Sequence, residues 1–379
     1  MTFVFWISFL MLIYVFFIYP ILILILGRKS KRAEKDMTIL PKVTLLISAY
    51  NEEKVIAEKI KNSLALDYPH DLFEIIVVSD GSTDRTNKIV SGIEDPRLRF
   101  FSYPDRGGKV KALNTGFEYI TGDIIVLTDA NVIFQSDAIR KLIAKFADES
   151  IGCVVGNVIL MTAEGNATAE SIYSRYEKAI HTAEGNWKTM ITVDGAMYGI
   201  RREFITAMPP DTITDDWYLA TAALIKNRRI IYEPDAIGYE QAAKSISGEF
   251  TRKIRMVAGG YQTAFRRAAV FFNPFHHPKV SFMFTSHKLL RWMASIFLAL
   301  AYISSLILAF SNDPLYLILV FCQSLFYMIA LLGYLFRSVL KSDFFNIPYY
   351  FMAANWASLL GLVQFLLRRQ KVTWKPGRH

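Results

Sequence analysis

Val126-Leu127-Thr128-Asp129-Ala130-Asn131 is an apolar run that stops abruptly at a carboxylate and an amide two residues apart. A buried strand over this stretch carries Asp129 and Asn131 to its carboxyl end and to the same side, because strand side chains alternate with period two. Open α/β sheets bind ligands in the crevice beyond their strand ends. Oxygen ligands at this spacing suit a hard divalent cation that also takes a substrate phosphate. A strand that ends in an ordinary polar turn is the alternative.

Short apolar runs rich in Val and Ile alternate with amphipathic stretches from residue 42 to about residue 231. This alternation is typical of βα units around a mostly parallel sheet, so the predicted fold class is α/β. The pattern predicts strands over residues 43–47, 73–78 and 151–160, and helices over residues 55–64 and 138–146. Strand, polar turn and helix recur, and the loops that can face a ligand therefore accumulate on one edge of the sheet.

Polar residues follow several of these predicted strands. Asp80 comes directly after the second apolar run and can accept hydrogen bonds from a nucleobase or ribose, or simply lie at a helix start. Arg106-Gly107-Gly108-Lys109 combines two glycines, which let the backbone approach a ligand, with a lysine that can neutralise phosphate. The segment is not a Walker A loop, because no Ser or Thr follows Lys109. A tight turn with a solvated lysine is the other interpretation.

Two later segments are candidates for contact with a substrate and for a general base. Thr214-Asp215-Asp216-Trp217 precedes an amphipathic helix predicted over residues 218–226. One of its two carboxylates can act as a general base, because burial or a neighbouring like charge raises a carboxyl pKa; helix capping is the alternative. Small residues, among them Gly195 and Ala196, are interleaved with apolar ones over residues 193–202, which suits backbone packing against a substrate or an ordinary glycine-bearing strand.

The composition places part of the chain in a membrane, since 53% of the 379 residues are hydrophobic. Residues 3–26 carry no charge and are long enough for an uncleaved transmembrane anchor. Five basic residues that follow are predicted to be cytoplasmic: Arg28, Lys29, Lys31, Arg32 and Lys35. Further apolar segments cover residues 290–310, 315–336 and 347–367. The last is the weakest candidate for a full crossing, and four crossings would leave the basic tail outside, against the positive-inside rule.

The predicted organisation has four parts. Residues 1–27 are the anchor, 28–245 a cytosolic α/β domain, 246–288 basic and interfacial helices, and 289–379 a C-terminal transmembrane region of two or three crossings with a short basic tail. Arg252 and Arg255 share a helix face and can grip a pyrophosphate, or attract lipid headgroups. The net charge of +9 lies largely beside apolar segments and accompanies no nucleic-acid motif, so membrane lipids are the expected partner and nucleic acid is not. Cys153 and Cys322 provide neither a disulfide framework nor a zinc site.

Five motifs occur in a characteristic order: residues 48–53 (Ser-Ala-Tyr-Asn-Glu-Glu), residues 77–84 (Val-Val-Ser-Asp-Gly-Ser-Thr-Asp), Gly107-Gly108-Lys109 with Ala112-Leu113-Asn114, Asp129-Ala130-Asn131, and Thr214-Asp215-Asp216-Trp217. In this order they resemble the family 2 glycosyltransferases, which are inverting enzymes with a GT-A fold. The apolar flanks resemble the membrane-embedded group that contains cellulose, chitin, hyaluronan and poly-N-acetylglucosamine synthases. The resemblance covers residues 43–261, so residues 28–245 are expected to be a GT-A, Rossmann-like nucleotide-sugar domain.

The resemblance implies a role for each matching residue. The nucleotide-sugar donor, expected to be a UDP-sugar, would be bound by Ala49, Tyr50, Glu53, Asp80, Lys109, Asp129, Arg252 and Arg255. Asp129 and Asn131 occupy the family's Asp-x-Asp and would hold a divalent metal, Mg²⁺ or Mn²⁺, although Asn131 carries less charge than the family's carboxylate. Asp216 matches the general base, with Asp215 beside it as a second catalytic residue. The acceptor would meet Gly195, Ala196 and Trp217.

The implied activity is transfer of a sugar to a growing exopolysaccharide or lipid-linked glycan at the cell (plasma or inner) membrane, with the catalytic domain in the cytoplasm. Processive relatives carry Gln-x-x-Arg-Trp, and here Arg252 and Met256 stand where Gln and Trp would be, around the matching Arg255. Transfer of a single sugar to a membrane lipid is therefore an alternative. A catalytically inactive nucleotide-binding scaffold is a third, and a synthase complex or homo-oligomer is a possible assembly.

Overall fold

The structure is a computed structural model of the 379-residue chain, and it describes residues 1–29, 39–161, 172–193, 195–241, 246–311, 313–336 and 342–369. The chain divides into two units. The sheet unit comprises Ile23–Lys244 and Thr263–Val280. The helical unit comprises Met1–Leu22, Ser245–Gln262 and Ser281–Gln370. The four-part division of the chain made from the sequence stays a prediction.

One eight-stranded sheet forms the centre of the sheet unit. Its strands are β1 (Val43–Ala49), β2 (Phe73–Asp80), β3 (Leu98–Tyr103), β4 (Ile124–Asp129), β5 (Ile133–Phe134), β6 (Ile151–Met161), β7 (Met197–Arg201) and β8 (Arg229–Gln241). Their order across the sheet is β3-β2-β1-β4-β7-β6-β8-β5. The first four are mutually parallel, β6 is parallel to β8, and β7 and β5 run antiparallel to their neighbours. The predicted mostly parallel α/β sheet is confirmed.

Helices cover the sheet and continue into the apolar ends of the chain. In the described residues they are α1 (Thr2–Ile13), α2 (Tyr19–Lys29), α3 (Ile56–Leu64), α4 (Thr86–Ser91), α5 (Lys109–Phe117), α6 (Ala138–Ala144), α7 (Ile172–Trp187), α8 (Asp215–Ile225), α9 (Ile246–Arg266), α10 (Ala268–Phe271), α11 (Pro278–Phe284), α12 (Leu290–Trp292), α13 (Ala294–Ala309), α14 (Pro314–Leu335) and α15 (Asp343–Leu366). Short π-helical segments, Tyr14–Ile18 and Thr285–Leu289, follow α1 and α11.

The core of the sheet unit lies between the parallel strands and the helices packed on them. All eight residues of β2 and six of the seven in β1 are buried, as expected for central parallel strands with helices on both faces. α3 buries residues at the spacing i, i+3, i+4, i+7, which places one helix face against the sheet: Ile56, Lys59, Ile60 and Ser63. Three of the four buried positions on this helix face are apolar or small, and the fourth is a lysine.

The strand register brings the functional candidates to one edge. Ala49 of β1 lies beside Ser79 of β2, and Ser48 of β1 lies beside Asp129 of β4. Because these strands are parallel, Asp80 and Asp129 emerge at the same carboxyl edge, as predicted.

Two predicted boundaries at the candidate site were wrong. β4 ends at Asp129, so Asn131 lies in the turn before β5 and strand alternation does not set its direction. α8 begins at Asp215 and not at residue 218, so both carboxylates of Asp215 and Asp216 belong to its first turn. This position at a helix start favours negatively charged side chains.

Among the described residues, two helical stretches are long and apolar enough to cross a membrane, Thr2–Arg28 and Pro314–Leu335. A third candidate is the pair Pro278–Trp292 and Ala294–Ala309, which is bent by 58°. Within the described residues, α15 does not join these candidates, in keeping with its predicted weakness as a span; it is 24 residues long and contains Pro348. In the helical unit, a small apolar cluster joins three of these segments: Phe5, Ala301 and Tyr316.

Candidate active site

Asp80 holds the glycine loop that precedes α5. Its side chain is buried, and Oδ1 accepts hydrogen bonds from the hydroxyl of Tyr103 at 2.9 Å and the backbone N–H of Gly107 at 2.7 Å. Oδ2 accepts from the N–H of Gly108 at 2.8 Å. Gly108 has a φ of 89°, a conformation that favours glycine. Asp80 therefore fixes the loop that begins at Arg106, and its contact with a nucleobase stays a prediction.

Lys109 joins two carboxylates that are far apart in the sequence. Its Nζ donates to Oδ1 of Asp129 at 2.8 Å and lies 3.3 Å from Oδ2 of Asp215. Burial opposes the positive charge, but the charges of Asp129 and Asp215 outweigh burial and raise the pKa of Lys109 above its usual range. Lys109 is therefore a permanent cation between the predicted metal ligand and the predicted catalytic pair.

Asp216 lies against the backbone of Gly195. A Cβ atom added to Gly195 would lie 2.7 Å from Oδ2 of Asp216, a distance that real Cβ contacts do not show. Oδ1 of Asp216 accepts from the backbone N–H of Trp217 at 2.7 Å. Gly195 and Ala196, which are predicted to meet the acceptor, form the acceptor segment. The carbonyl of Ala196 accepts from the hydroxyl of Thr128 on β4 at 2.9 Å. The segment thus bridges the strand of Asp129 and the start of α8.

Trp217 is part of the core of the sheet unit. Its residue is 4% exposed, and its ring lies 5.2 Å from the ring of Phe271, centroid to centroid. This packing fixes the first turn of α8, where Asp215 and Asp216 lie. A direct contact between Trp217 and an acceptor stays a prediction.

The structure distinguishes the adjacent Glu52 and Glu53. The carboxylate of Glu53, predicted to bind the donor, receives the Nε and backbone N–H of Arg85, both at 3.1 Å. Burial raises the pKa of Glu52 to about 7, and the charges of Asp129 and Asp84 add to this shift. Sequence reasoning missed Glu52, because Asn51 takes a positive φ of 55° and so sets side-chain directions that no periodic pattern describes.

Ala49 and Tyr50 lie at the end of β1, where a nucleotide was predicted. Ala49 is buried, and the ring of Tyr50 is partly exposed. The guanidinium of Arg106 lies 3.8 Å from the centre of the Tyr50 ring. This stacking brings a second positive charge from the glycine loop to the predicted donor pocket.

Asn131 contacts a residue that the sequence did not indicate. Its Nδ2 donates to Oε1 of Glu240, on β8, at 3.1 Å. The two residues are 109 positions apart, and no sequence pattern connects them.

A lysine lies beneath the turn that contains Asn131. Nζ of Lys59 donates to the carbonyl of Val132 at 2.5 Å and to the hydroxyl of Thr128 at 3.3 Å. Burial lowers the pKa of Lys59 to about 7, and the charge of Asp129 opposes this shift. Lys59 on α3 was also missed, because its position within an amphipathic helix does not show whether its ammonium reaches the sheet.

The oxygen atoms of this edge fit a hard divalent cation. Asp129 offers a carboxylate, Asn131 a carboxamide oxygen and Glu52 a further carboxyl group, and such donors suit Mg²⁺ or Mn²⁺. Arg252 and Arg255 lie on α9 in the helical unit, and their predicted contact with a pyrophosphate stays a prediction.

The sheet, with the cluster of Lys109, Asp129, Asp215 and Asp216 at its carboxyl edge, has the arrangement of a GT-A-type domain. Residues 44–206 match the sequence model of Glycosyl transferase family 2. The resemblance inferred from the motifs is confirmed over these residues, which contain four of the five motifs.

Curated relatives agree with this assignment. The chain is 30% identical over 263 residues to the "Probable glycosyltransferase YdaM" of Bacillus subtilis (strain 168), covering 65% of this chain and 61% of the relative. It is 26% identical over 244 residues to the "Poly-beta-1,6-N-acetyl-D-glucosamine synthase" of Staphylococcus aureus (strain COL), covering 62% of this chain and 59% of the relative. The chain thus spans about six tenths of the length of these relatives.

A solved structure shares the fold over almost the whole chain. The "Mannosyltransferase PcManGT from Pyrobaculum calidifontis in complex with GDP-Man and Mn2+" superposes with a TM-score of 0.74 at 22% sequence identity. The match covers 97% of this chain and 99% of that one. The predicted GT-A fold is confirmed.

Proposed function

We propose that this protein is an inverting glycosyltransferase that transfers a sugar from a nucleotide-sugar donor at a membrane. The observation that carries the proposal is Lys109, which lies 2.8 Å from Asp129 and 3.3 Å from Asp215. This contact joins the carboxyl edge of the parallel strands to the start of α8. The family of the domain and the names of its relatives support transfer of a sugar as the reaction.

Asp216 is the proposed general base. Lys109 neutralises the neighbouring Asp215, so we assign the proton of the acceptor hydroxyl to Asp216. Gly195 lets the acceptor segment approach Asp216 closely, because any side chain at this position would collide with the carboxylate. The hydroxyl oxygen, once deprotonated, attacks the anomeric carbon from the side opposite the leaving nucleotide, which inverts its configuration.

The departing nucleoside diphosphate gains negative charge. A divalent cation held by Asp129 and Asn131 would neutralise part of that charge when bound. Lys109 contributes a fixed positive charge beside Asp129, and Arg106 contributes another from the glycine loop. Preorganised cations of this kind stabilise charge that develops in a transition state without further rearrangement.

A growing exopolysaccharide or a lipid-linked glycan is the proposed acceptor class, supported by the staphylococcal polysaccharide synthase among the relatives. Transfer of one sugar to a membrane lipid is the second candidate, favoured by Arg252 and Met256 in place of the Gln and Trp of processive enzymes. Long polymer formed by purified membranes would select the first candidate, and a single-sugar glycolipid the second.

The apolar helices support a location in the membrane, with the sheet unit proposed to face the cytoplasm. Counting the bent pair as one crossing gives three candidate spans in the part of the chain that the structure describes. An odd number of spans places the basic residues after the anchor and those of the C-terminal tail on the same side, in accord with the positive-inside rule.

Replacement of the proposed base tests the function. Purified full-length protein is assayed for nucleotide release against a panel that contains both UDP- and GDP-sugars. We expect Asp216→Asn to lower turnover at least about a hundredfold while donor binding persists, because a general base contributes roughly 10²–10⁴. The matched control is Asp235→Asn, which removes an exposed carboxylate on β8 and should leave turnover unchanged.

Unchanged turnover in Asp216→Asn would reject the assignment of the base. Donor binding by the wild-type protein, without turnover of any donor in the panel, would instead identify a nucleotide-binding scaffold.

A further inference from the structure

The cation site of the proposed enzyme has an unusual charge balance. Asp129 brings one negative charge to it, and Asn131 brings none. Lys109 offsets the charge of Asp129 through its contact at 2.8 Å. The side chain that contacts Asn131 is itself a carboxylate: Oε1 of Glu240 accepts from Nδ2 of Asn131 at 3.1 Å.

Glu240 is held by two strand pairings. It lies beside Leu160 in the ladder of β6 and β8, and the preceding residue, Tyr239, lies beside Ile133 of β5. β5 follows the turn of Asn131 directly, so the contact between Glu240 and Asn131 connects two backbone segments that are already in register. A side chain carried by a paired strand can fix the orientation of a group in a neighbouring turn more firmly than a loop residue can.

The chemistry of the contact determines which way the amide of Asn131 faces. An ionised carboxylate only accepts hydrogen bonds, so the nitrogen of the amide must face Glu240 and the amide oxygen must face away from it. A carboxylate that is hydrogen-bonded to a metal ligand also increases the negative charge on the ligand atom. Both effects make a neutral amide a better ligand for a cation.

We propose that Glu240 is a positioning residue that directs the carboxamide oxygen of Asn131 to the cation and adds a negative charge behind this neutral ligand. The proposal rests on the proposed function, because it refines the cation site of that function. It explains how an aspartate–asparagine pair can serve as a divalent cation site.

A charge exchange between the two positions tests the proposal. The full-length protein in detergent is titrated with Mn²⁺ alone, and free Mn²⁺ is followed by electron paramagnetic resonance. We expect Glu240→Gln to weaken Mn²⁺ binding by about tenfold or more, the usual effect of losing a carboxylate behind a metal ligand. Adding Asn131→Asp to this variant should restore affinity to within about threefold of wild type, since the amide and carboxylate have then changed places.

The double-mutant cycle separates positioning from a simple gain of charge. In the wild-type background Asn131→Asp should bring no gain, because the new carboxylate would face that of Glu240, whereas in the Glu240→Gln background it should strengthen binding. Equal effects in the two backgrounds, or unchanged Mn²⁺ binding in Glu240→Gln, would overturn the proposal. Asp235→Asn, on the same strand, controls for loss of a carboxylate, and the midpoint of thermal unfolding identifies any variant that is misfolded.

Failure of this proposal and failure of the proposed function give different results. Wild-type protein that releases nucleotide and binds Mn²⁺, together with a Glu240→Gln variant that binds Mn²⁺ equally well, contradicts only the role of Glu240. Wild-type protein that turns over no donor contradicts the proposed function, whatever its affinity for Mn²⁺.

Discussion

The proposed base works only because one neighbour has no side chain. Asp216 lies so close to Gly195 that a Cβ atom there would approach Oδ2 to 2.7 Å and the Cβ of Asp216 to 3.0 Å. The acceptor segment and the carboxylate are thus brought together by backbone contact. Only glycine allows this approach, because every other residue would place a Cβ atom in the space of the carboxylate.

Gly195→Ala should therefore displace Asp216 and lower turnover by about tenfold to a hundredfold, since small misplacements of a catalytic group are costly. Nucleotide release by the purified protein measures this effect. Gly185→Ala, within α7, is the matched control because its added Cβ would meet the nearest neighbouring residue, Ile231, at 3.6 Å, an ordinary contact distance. A Gly195→Ala variant with wild-type turnover would show that Asp216 is not held by this contact.

Lys59 gives the stability of the protein a pH dependence. Burial lowers the pKa of this lysine from 10.5 to about 7, with Asp129 opposing the shift. Between these values the unfolded chain binds the proton and the folded chain largely does not, so the free energy of unfolding rises with pH. Below about pH 7 both states hold the proton, and the contribution becomes constant.

Lys59→Met removes this titration. The midpoint of thermal unfolding should then rise less between about pH 7 and about pH 9 than it does in the wild type. Lys61→Met, which changes an exposed lysine of the same helix, should keep the wild-type dependence. Identical slopes for Lys59→Met and the wild type would contradict the lowered pKa.

Among the helices, the end of α9 holds the segment that leads into α8. Arg266 contacts Oδ2 of Asp211 at 2.5 Å and the hydroxyl of Thr212 at 3.2 Å, and the hydroxyls of Thr263 and Thr214 are 2.9 Å apart. Residues 211–214 directly precede the two carboxylates of α8. We infer that these contacts keep the first turn of α8 in place.

Arg266→Ala should lower kcat by about tenfold, because the first turn of α8, which carries the proposed base Asp216, is held less firmly. The affinity for donor should change little, since the donor-binding loops are unchanged. Steady-state kinetics and donor titration separate the two quantities. Arg140→Ala is the control, since its ion pair with Asp67 is exposed and of the kind that contributes little. Equal losses in the two variants would assign the effect to general destabilisation.

For the chain as a whole, the two cysteines report on the membrane. Cys322 lies in α14, a candidate span, with its side chain exposed on the protein surface, and Cys153 is buried in β6. If α14 crosses the bilayer, lipid and not water surrounds Cys322. Lipid would therefore protect the thiol of Cys322 from reagents in water, whereas the packed protein interior protects the thiol of Cys153.

In sealed membranes we expect an apolar maleimide to label Cys322 and a charged, membrane-impermeant maleimide to leave it unlabelled. Cys322→Ser identifies the labelled site, and unfolding in detergent should expose both thiols. Ready labelling of Cys322 by the charged reagent in intact membranes would contradict a lipid-embedded α14.

The sequence by itself determined the α/β class, the apolar strand runs that lead to Asp80 and Asp129, and the resemblance to family 2 glycosyltransferases, whose sequence model residues 44–206 match. These features follow from local rules. Burial of a strand or of one helix face sets the spacing of apolar residues along the sequence, and the few residues around a strand or helix end determine where it ends. They could be predicted because each depends on neighbours within one or two turns of chain.

Only the tertiary structure decided which groups meet. It partly buried Glu52 and exposed this residue to the charge of Asp129, moved Asn131 from the strand into a turn, and brought Glu240 and Lys59 to that turn. These contacts depend on the order of strands across the sheet and on one positive φ angle, at Asn51. Strand pairing brings together residues that are up to 109 positions apart in the sequence. No local pattern of residues encodes which distant side chain makes the contact.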